Sequence, residues 1–221
     1  MDLAGTLLPL ALVVGLSPLP ILPVVLILKT PRARANSAAF LGAWLVAQTA
    51  LVTVTMLVAG SQDPAAPDDE GIGWIQVVTG GVFLALAAAK WLRRPKPGTR
   101  AEPPSWMSAL STYTPRQSAK LGAALAAGNP KNLFMALAGG AEIAALTTTP
   151  GGALAGVALF VLVGSIGVGT PVAIHRVLGA RAEAMLGRWK TWLEANSTAL
   201  AVGVLVVLGT VLLVRGLTAA L

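Results

Sequence analysis

Apolar residues along this chain gather into six long runs, at about 3–28, 38–59, 74–92, 121–146, 153–177 and 199–217. Each is close to or above the ~20 residues that an α-helix needs to cross the hydrocarbon core of a bilayer. Between the runs the chain changes character abruptly. Lys29-Thr30-Pro31-Arg32-Ala33-Arg34 closes the first, and residues 60–73 carry Asp63, Asp68, Asp69 and Glu70 with two prolines. Residues 93–120 are long, basic and proline-rich, and Thr147-Thr148-Thr149-Pro150-Gly151-Gly152 is a short polar turn. Lipid offers no partner to a backbone N–H or C=O, which restricts spanning structures to helices and closed barrels. The pattern predicts an all-α integral membrane protein with six transmembrane helices.

Two runs carry a proline-centred interruption, Gly15-Leu16-Ser17-Pro18-Leu19-Pro20 in the first and Gly128-Asn129-Pro130-Lys131-Asn132 in the fourth. Placing Pro18 on Pro130, an offset of 112 positions, also lays the second run on the fifth. The chain then divides into a three-helix repeat (1–92), a basic cytoplasmic linker (93–120) and a second three-helix repeat (121–221). Three crossings end on the side opposite their start, so the second repeat is inverted relative to the first. That is the plan of many transporters, whose sites lie where broken helices meet.

Each proline removes a backbone donor and clashes with the carbonyl four residues earlier, so helices one and four are expected to break there. Ser17 and Asn129 are suited to cap the half-helices that follow. At ~1.5 Å per residue, Pro18 and Pro130 both fall about 15 Å from a helix end, near mid-membrane. Helix N-termini there present unpaired N–H groups and a partial positive charge. Lys131 sits at that point, where a lysine costs about 2.5–3.5 kcal/mol on insertion scales unless it faces a cavity or a partner. Together these features at Ser17, Pro18, Asn129, Pro130 and Lys131 suit an anionic headgroup. The plainer alternative makes the prolines ordinary kinks and lets Lys131 snorkel.

Composition agrees with a membrane chain. Hydrophobic residues make up 55%, charged residues 11%, and the mean hydropathy is +0.76. Soluble domains are roughly a quarter charged, which excludes a soluble enzyme, a disordered tail or a secreted disulfide scaffold. The net charge of +7 is not a nucleic-acid signal here. Fourteen of the 16 Lys and Arg residues fall in the first, third and fifth connections and none in the second and fourth. By the positive-inside rule those three connections are cytoplasmic and both termini face outward. Met1-Asp2-Leu3 lacks a basic n-region, so the first helix is expected to stay in the membrane.

Two cytoplasmic stretches carry further structure. Residues 178–195 place Leu178, Met185, Trp189, Trp192 and Leu193 near helical spacing among Arg181, Arg188 and Lys190. This suits an amphipathic helix on an anionic leaflet or, equally, an extension of the last helix. Thr114-Pro115 is a cap and first-turn pair for helix four, and Trp106 and Met107 suit the interface.

Other polar residues inside the runs are few. Gln48 and Gln76 are candidates to line a cavity. Glu142 lies about one turn from the outer end of helix four, placed to snorkel rather than to relay protons, and His175 lies beside Arg176 at an inner end. Gly80, Gly81, Gly164, Gly167 and Gly169 suit close helix packing, and the glycine-rich faces of helices three and five suit a homodimer. There is no cysteine and one histidine. Ser165 and His175, ten residues apart on one helix, make no nucleophile–base pair, so no catalytic group, metal site or cofactor is expected.

Ser17-Pro18-Leu19-Pro20-Ile21 resembles the opening of the lysine exporter (LysE) superfamily, six-helix exporters built as three plus three. Trp106-Met107, Thr114-Pro115, Gly122 and Asn129-Pro130-Lys131-Asn132-Leu133 are similar to a narrower group within it, the GAP family of peptidoglycolipid- or sulfolipid-addressing, Sap-like proteins. The resemblance implies export of an anionic or glycosylated envelope lipid across the bacterial inner membrane, with membrane lipids as partners and no nucleic acid. It adds Pro20 and Asn132 as motif positions. Small-solute export, of an amino acid or ion, and service as a non-transporting subunit of a lipid export machine remain the alternatives.

Overall fold

A computed structural model describes residues 3–61, 69–92 and 110–220. Among them the elements are α-helices and 3₁₀ turns, and there is no strand. Helix α1 (Leu3–Gly15) ends two residues short of Pro18, which opens α2 (Pro18–Ile27) at its first position. Thr30 Oγ1 donates to the Ile27 carbonyl at 2.8 Å and closes that helix. Nothing interrupts α3 (Ala33–Gly60), whose 28 residues rise about 42 Å. Helix α4 (Asp69–Leu92) begins five residues before the apolar run that announced it.

The second half repeats the device with stronger caps. Thr114 and Gln117 form a reciprocal capping box at the start of α5 (Pro115–Ala127), as the Thr-Pro pair predicts. The helix therefore takes in Arg116 and Lys120, which composition assigns to the linker. Asn129 caps α6 (Pro130–Leu146), accepting the Lys131 N–H at 3.1 Å, and Thr149 caps α7 (Pro150–Gly164) through the Gly152 N–H at 3.1 Å.

One break was not expected. The fifth run divides at Ser165 into α7 and α8 (Ile166–Leu178), bent by 65°. No proline lies at this point; the Gly164-Ser165 pair, weak in helix propensity, supplies the kink. Gly179, at φ +54°, ends α8 in a backbone conformation that only glycine adopts readily. After a 3₁₀ turn, α9 (Ala182–Ala220) runs unbroken for 39 residues. Residues 182–195 are thus helical and continuous with the last apolar run. Trp106 and Met107 lie outside the described residues.

By length and composition α3 is the one described helix able to cross a membrane unaided. The pairs α1–α2, bent by 51°, and α7–α8 qualify as bent spans, giving up to three, and α4 and α9 contain the shorter apolar segments Gly80–Leu92 and Leu205–Thr218. These are the helices of a membrane protein.

The chain forms two compact units. In the first (Met1–Gln62 with Pro103–Trp192), glycines let backbones touch. A Cβ on Gly122 of α5 would strike the Phe40 carbonyl, and one on Gly140 of α6 would come within 2.8 Å of the Val52 oxygen and 2.9 Å of the Met56 nitrogen. Residue numbers rise together on both sides, so α3 runs parallel to α5–α6. The ends of α1 and α7 likewise meet, with Gly15 against the Val163 oxygen and Gly164 against Val14. Gly139 on Phe160 and Gly156 on Ile143 make α6 and α7 antiparallel. Lipid tails are as apolar as the side chains, so this close van der Waals contact, rather than escape from water, holds the helices together. Gly81 and Gly169 meet nothing within 4 Å and are not packing glycines.

In the second unit (Asp63–Glu102 with Leu193–Leu221), Gly80 of α4 and Gly209 of α9 cross antiparallel, a Cβ on Gly80 falling 2.7 Å from the Gly209 oxygen. Beside the crossing is an apolar cleft of about 370 Å³ lined by Leu84, Ala87, Ala88, Trp91, Val202 and Val206.

Gly140→Leu must push α3 off α6, and is expected to lower stability by at least ~1–3 kcal/mol. Gly42→Leu, on the open side of α3 with nothing within 4 Å, should leave thermal unfolding in detergent unchanged. Equal effects of the two substitutions would contradict the contact.

Candidate functional site

A proline break frees a carbonyl, and the site grows from where the freed carbonyls find donors. At the first break the Leu16 N–H still reaches Leu12 (2.8 Å), but the Ser17 N–H turns to Val14 (3.2 Å) and Pro18 has none. The Val13 carbonyl is left without a backbone donor. Lys131 Nζ donates to it from the first turn of α6, 118 residues away. At the second break the Gly128 N–H reaches Ala124 (2.7 Å), and the Leu125 carbonyl, freed in its turn, accepts from Asn132 Nδ2 at 3.1 Å. Val13 and Leu125 are themselves 112 positions apart. The same carbonyl is freed in each half, and adjacent residues of α6 capture both.

The third break joins them. Ser165, 6% exposed, accepts from Trp44 Nε1 at 3.1 Å, tying α3 to the α7–α8 bend. Gly15 lies against Gly164 and Gly167, which brings that bend to the end of α1. Three interrupted helices therefore meet around Val13, Lys131, Asn132, Trp44 and Ser165.

The expected residues are not all used as the sequence suggests. Asn129 caps its half-helix, while Ser17 occupies the cap position of α2 without a side-chain capping bond. Pro18 and Pro130 both sit at a first helical position, and Pro20 is buried within the first turn of α2. Lys131 was expected among helix N-termini. Its ammonium instead rests on the C-terminal, negative end of α1, which offsets part of the cost of its depth. Gln48 is buried on α3 (1% exposed), and neither Nε2 nor Oε1 has a hydrogen-bond partner among the described residues; Asn132 Oδ1 is likewise unmet. Each such group costs about 1–3 kcal/mol if left so. Glu142 lies half-buried one turn from the end of α6, and His175 in the last turn of α8. Gln76 falls on α4, its side chain outside the described residues.

Trp44 and Ser165 were missed. Both carried a signal: a tryptophan in mid-run rather than at the interface must find an acceptor for its indole N–H, and the Gly-Ser pair marks a kink.

The family model described as Sap, sulfolipid-1-addressing protein, matches residues 7–218. The chain belongs to the Sap family. The match takes in all three breaks and every residue of the site. No curated protein and no solved structure matches the chain. Membership of the Sap family suggests a role in lipid addressing or export and is consistent with a lipid-related partner.

In this Sap-family chain, Lys131→Met and Asn132→Leu each strand one carbonyl, and each is expected to destabilise by about 1–3 kcal/mol. Lys131→Arg, which keeps the donors, should recover most of the first loss. Thermal unfolding of the three purified variants is the check, and wild-type stability in both Lys131→Met and Asn132→Leu would show that the carbonyls do not depend on these donors.

Proposed function

We propose that this protein translocates or exports an anionic or glycosylated envelope lipid, holding the polar headgroup where the broken helices meet. It is a transporter rather than an enzyme in this reading, and uses no cofactor. The observation that carries it is Lys131, a cation among three helix breaks in a chain of a lipid-addressing family. Its one partner among the described residues, the Val13 oxygen, is neutral. An ammonium has three donors, so two remain for a phosphate, sulfate or carboxylate, and no ion pair must be broken to engage one. A buried cation without a counter-charge is costly, and an anionic headgroup supplies that charge. Ser17, Pro18, Pro20, Asn129, Pro130 and Asn132 shape the pocket wall, and Gln48, Gln76 and Glu142 are the further polar groups along the path.

The reading includes six crossings, formed by α1–α2, α3, α4, α5–α6, α7–α8 and α9, as a 3+3 inverted repeat of the LysE and GAP type in the bacterial inner membrane. Two features support it. Helix α3 runs parallel to α5–α6, so the intervening chain must return along its whole length, and the 24 residues of α4 rise about 36 Å. The pairing is also two-fold: helix two packs on helix four as helix five packs on helix one. The basic connections then place both termini outside, with a homodimer or envelope-export machinery as possible company.

The chain has no native cysteine, which makes topology directly readable. Gly151→Cys should react with an impermeant maleimide on intact cells, and Arg116→Cys only after permeabilisation; the reverse would invert the orientation. For the cargo, native mass spectrometry with lipid identification compares wild type with Lys131→Ala. A specific anionic or glycosylated lipid should accompany the wild type and be lost from the variant. Bulk phospholipid alone, unchanged by the substitution, would dismiss the headgroup site in favour of small-solute export or an accessory role.

A further inference from the structure

Gln48 is the least satisfied polar side chain at the junction. It is 1% exposed, with both amide atoms unpartnered. On α3 it stands between Phe40, which meets Gly122 of α5, and Val52, which meets Gly140 of α6. In parallel register its level falls within the stretch that holds the second break and Asn132. Asn132 is 0% exposed; its Nδ2 is spent on the Leu125 carbonyl, and its Oδ1 is unmet. One turn before Gln48, Trp44 is bound to Ser165.

The free atoms are an amide donor and two amide oxygens. They carry no net charge and they both give and receive hydrogen bonds. A second anionic group would face two acceptors. A hydroxyl, with one proton to donate and lone pairs to accept, matches the set. We propose that Gln48 and Asn132 form a hydroxyl-binding place at the helix breaks, filled by a hydroxyl of the cargo headgroup or by a resident water. This rests on the reading that Lys131 takes the anionic part of that headgroup.

The full chain in nanodiscs is offered phosphatidylglycerol and phosphatidylmethanol with identical acyl chains. Both carry a single negative charge, and phosphatidylglycerol alone has free hydroxyls. Wild type should prefer phosphatidylglycerol by at least about tenfold, because a site built for a hydroxyl discriminates against a ligand lacking it. Gln48→Met, close in shape and without a hydrogen-bonding amide, should bring the ratio near one. Gln48→Asn should retain part of the preference and guards against misfolding as the cause. Met135, 3% exposed and three residues after Asn132 on the same side of α6, reports the other source: radiolytic labelling in ¹⁸O water that is seen in wild type and abolished by Gln48→Met assigns the place to water. If Gln48→Met alters neither the lipid ratio nor Met135 labelling, the hydroxyl place does not exist. Loss of preference in Gln48→Met with both lipids still bound by Lys131→Ala would keep the hydroxyl place and dismiss the anion reading.

Discussion

The arrangement depends on one constraint: a carbonyl freed inside an apolar phase must find a donor, because no water will supply it. The breaks at Pro18 and Pro130 leave the Val13 and Leu125 carbonyls without their helical donors, and Lys131 and Asn132 answer them. The first capture is long-range. It fixes the start of α6 against the end of α1, and so joins the two halves of the chain at the depth where each is weakest. The glycine contacts of α1 with α7 and of α3 with α5–α6 then follow, since backbones held this close leave no room for a Cβ.

The junction combines two kinds of polarity. The Val13 and Leu125 carbonyls released by the breaks have partners. Gln48 Nε2 and Oε1 and Asn132 Oδ1 have none among the described residues. A structural polar network in an apolar surrounding is ordinarily closed on itself, because an open one is penalised by the low dielectric. Here a closed set of backbone captures lies beside side-chain atoms that remain open. The Sap-family match makes a lipid the natural candidate, and the neutrality of Val13 leaves Lys131 able to meet a charged one.

Much of this was legible in local sequence. Proline position gave both repeat-related breaks, Thr114-Pro115 gave the start of α5, and the 112-residue offset extended further than the prolines themselves, to the freed carbonyls at Val13 and Leu125. The rest depends on partners far away in the chain. No local pattern says that an ammonium at 131 will find a carbonyl at 13, and the charge of Lys131 suggested helix N-termini where the fold supplies a C-terminus. The break at Ser165 escaped because glycine and serine weaken a helix without forbidding it. What decides the bend there is tertiary: the approach of α1 on Gly164 and Gly167, and the indole of Trp44. Gln48 could be placed within an apolar run, but its lack of a partner is a property of the assembled helices.

The two captures are not shared evenly between the repeats. Subtracting 112 from Lys131 and Asn132 arrives at Leu19 and Pro20, neither of which has a side-chain donor. In a perfectly two-fold molecule, exchanging the conformations of the two halves would be energetically neutral. Here the exchanged form would ask Leu19 and Pro20 to do what they cannot, and two carbonyls would be stranded. The likeness between the two breaks therefore stops at the freed carbonyls: the second half supplies both donors and the first supplies none.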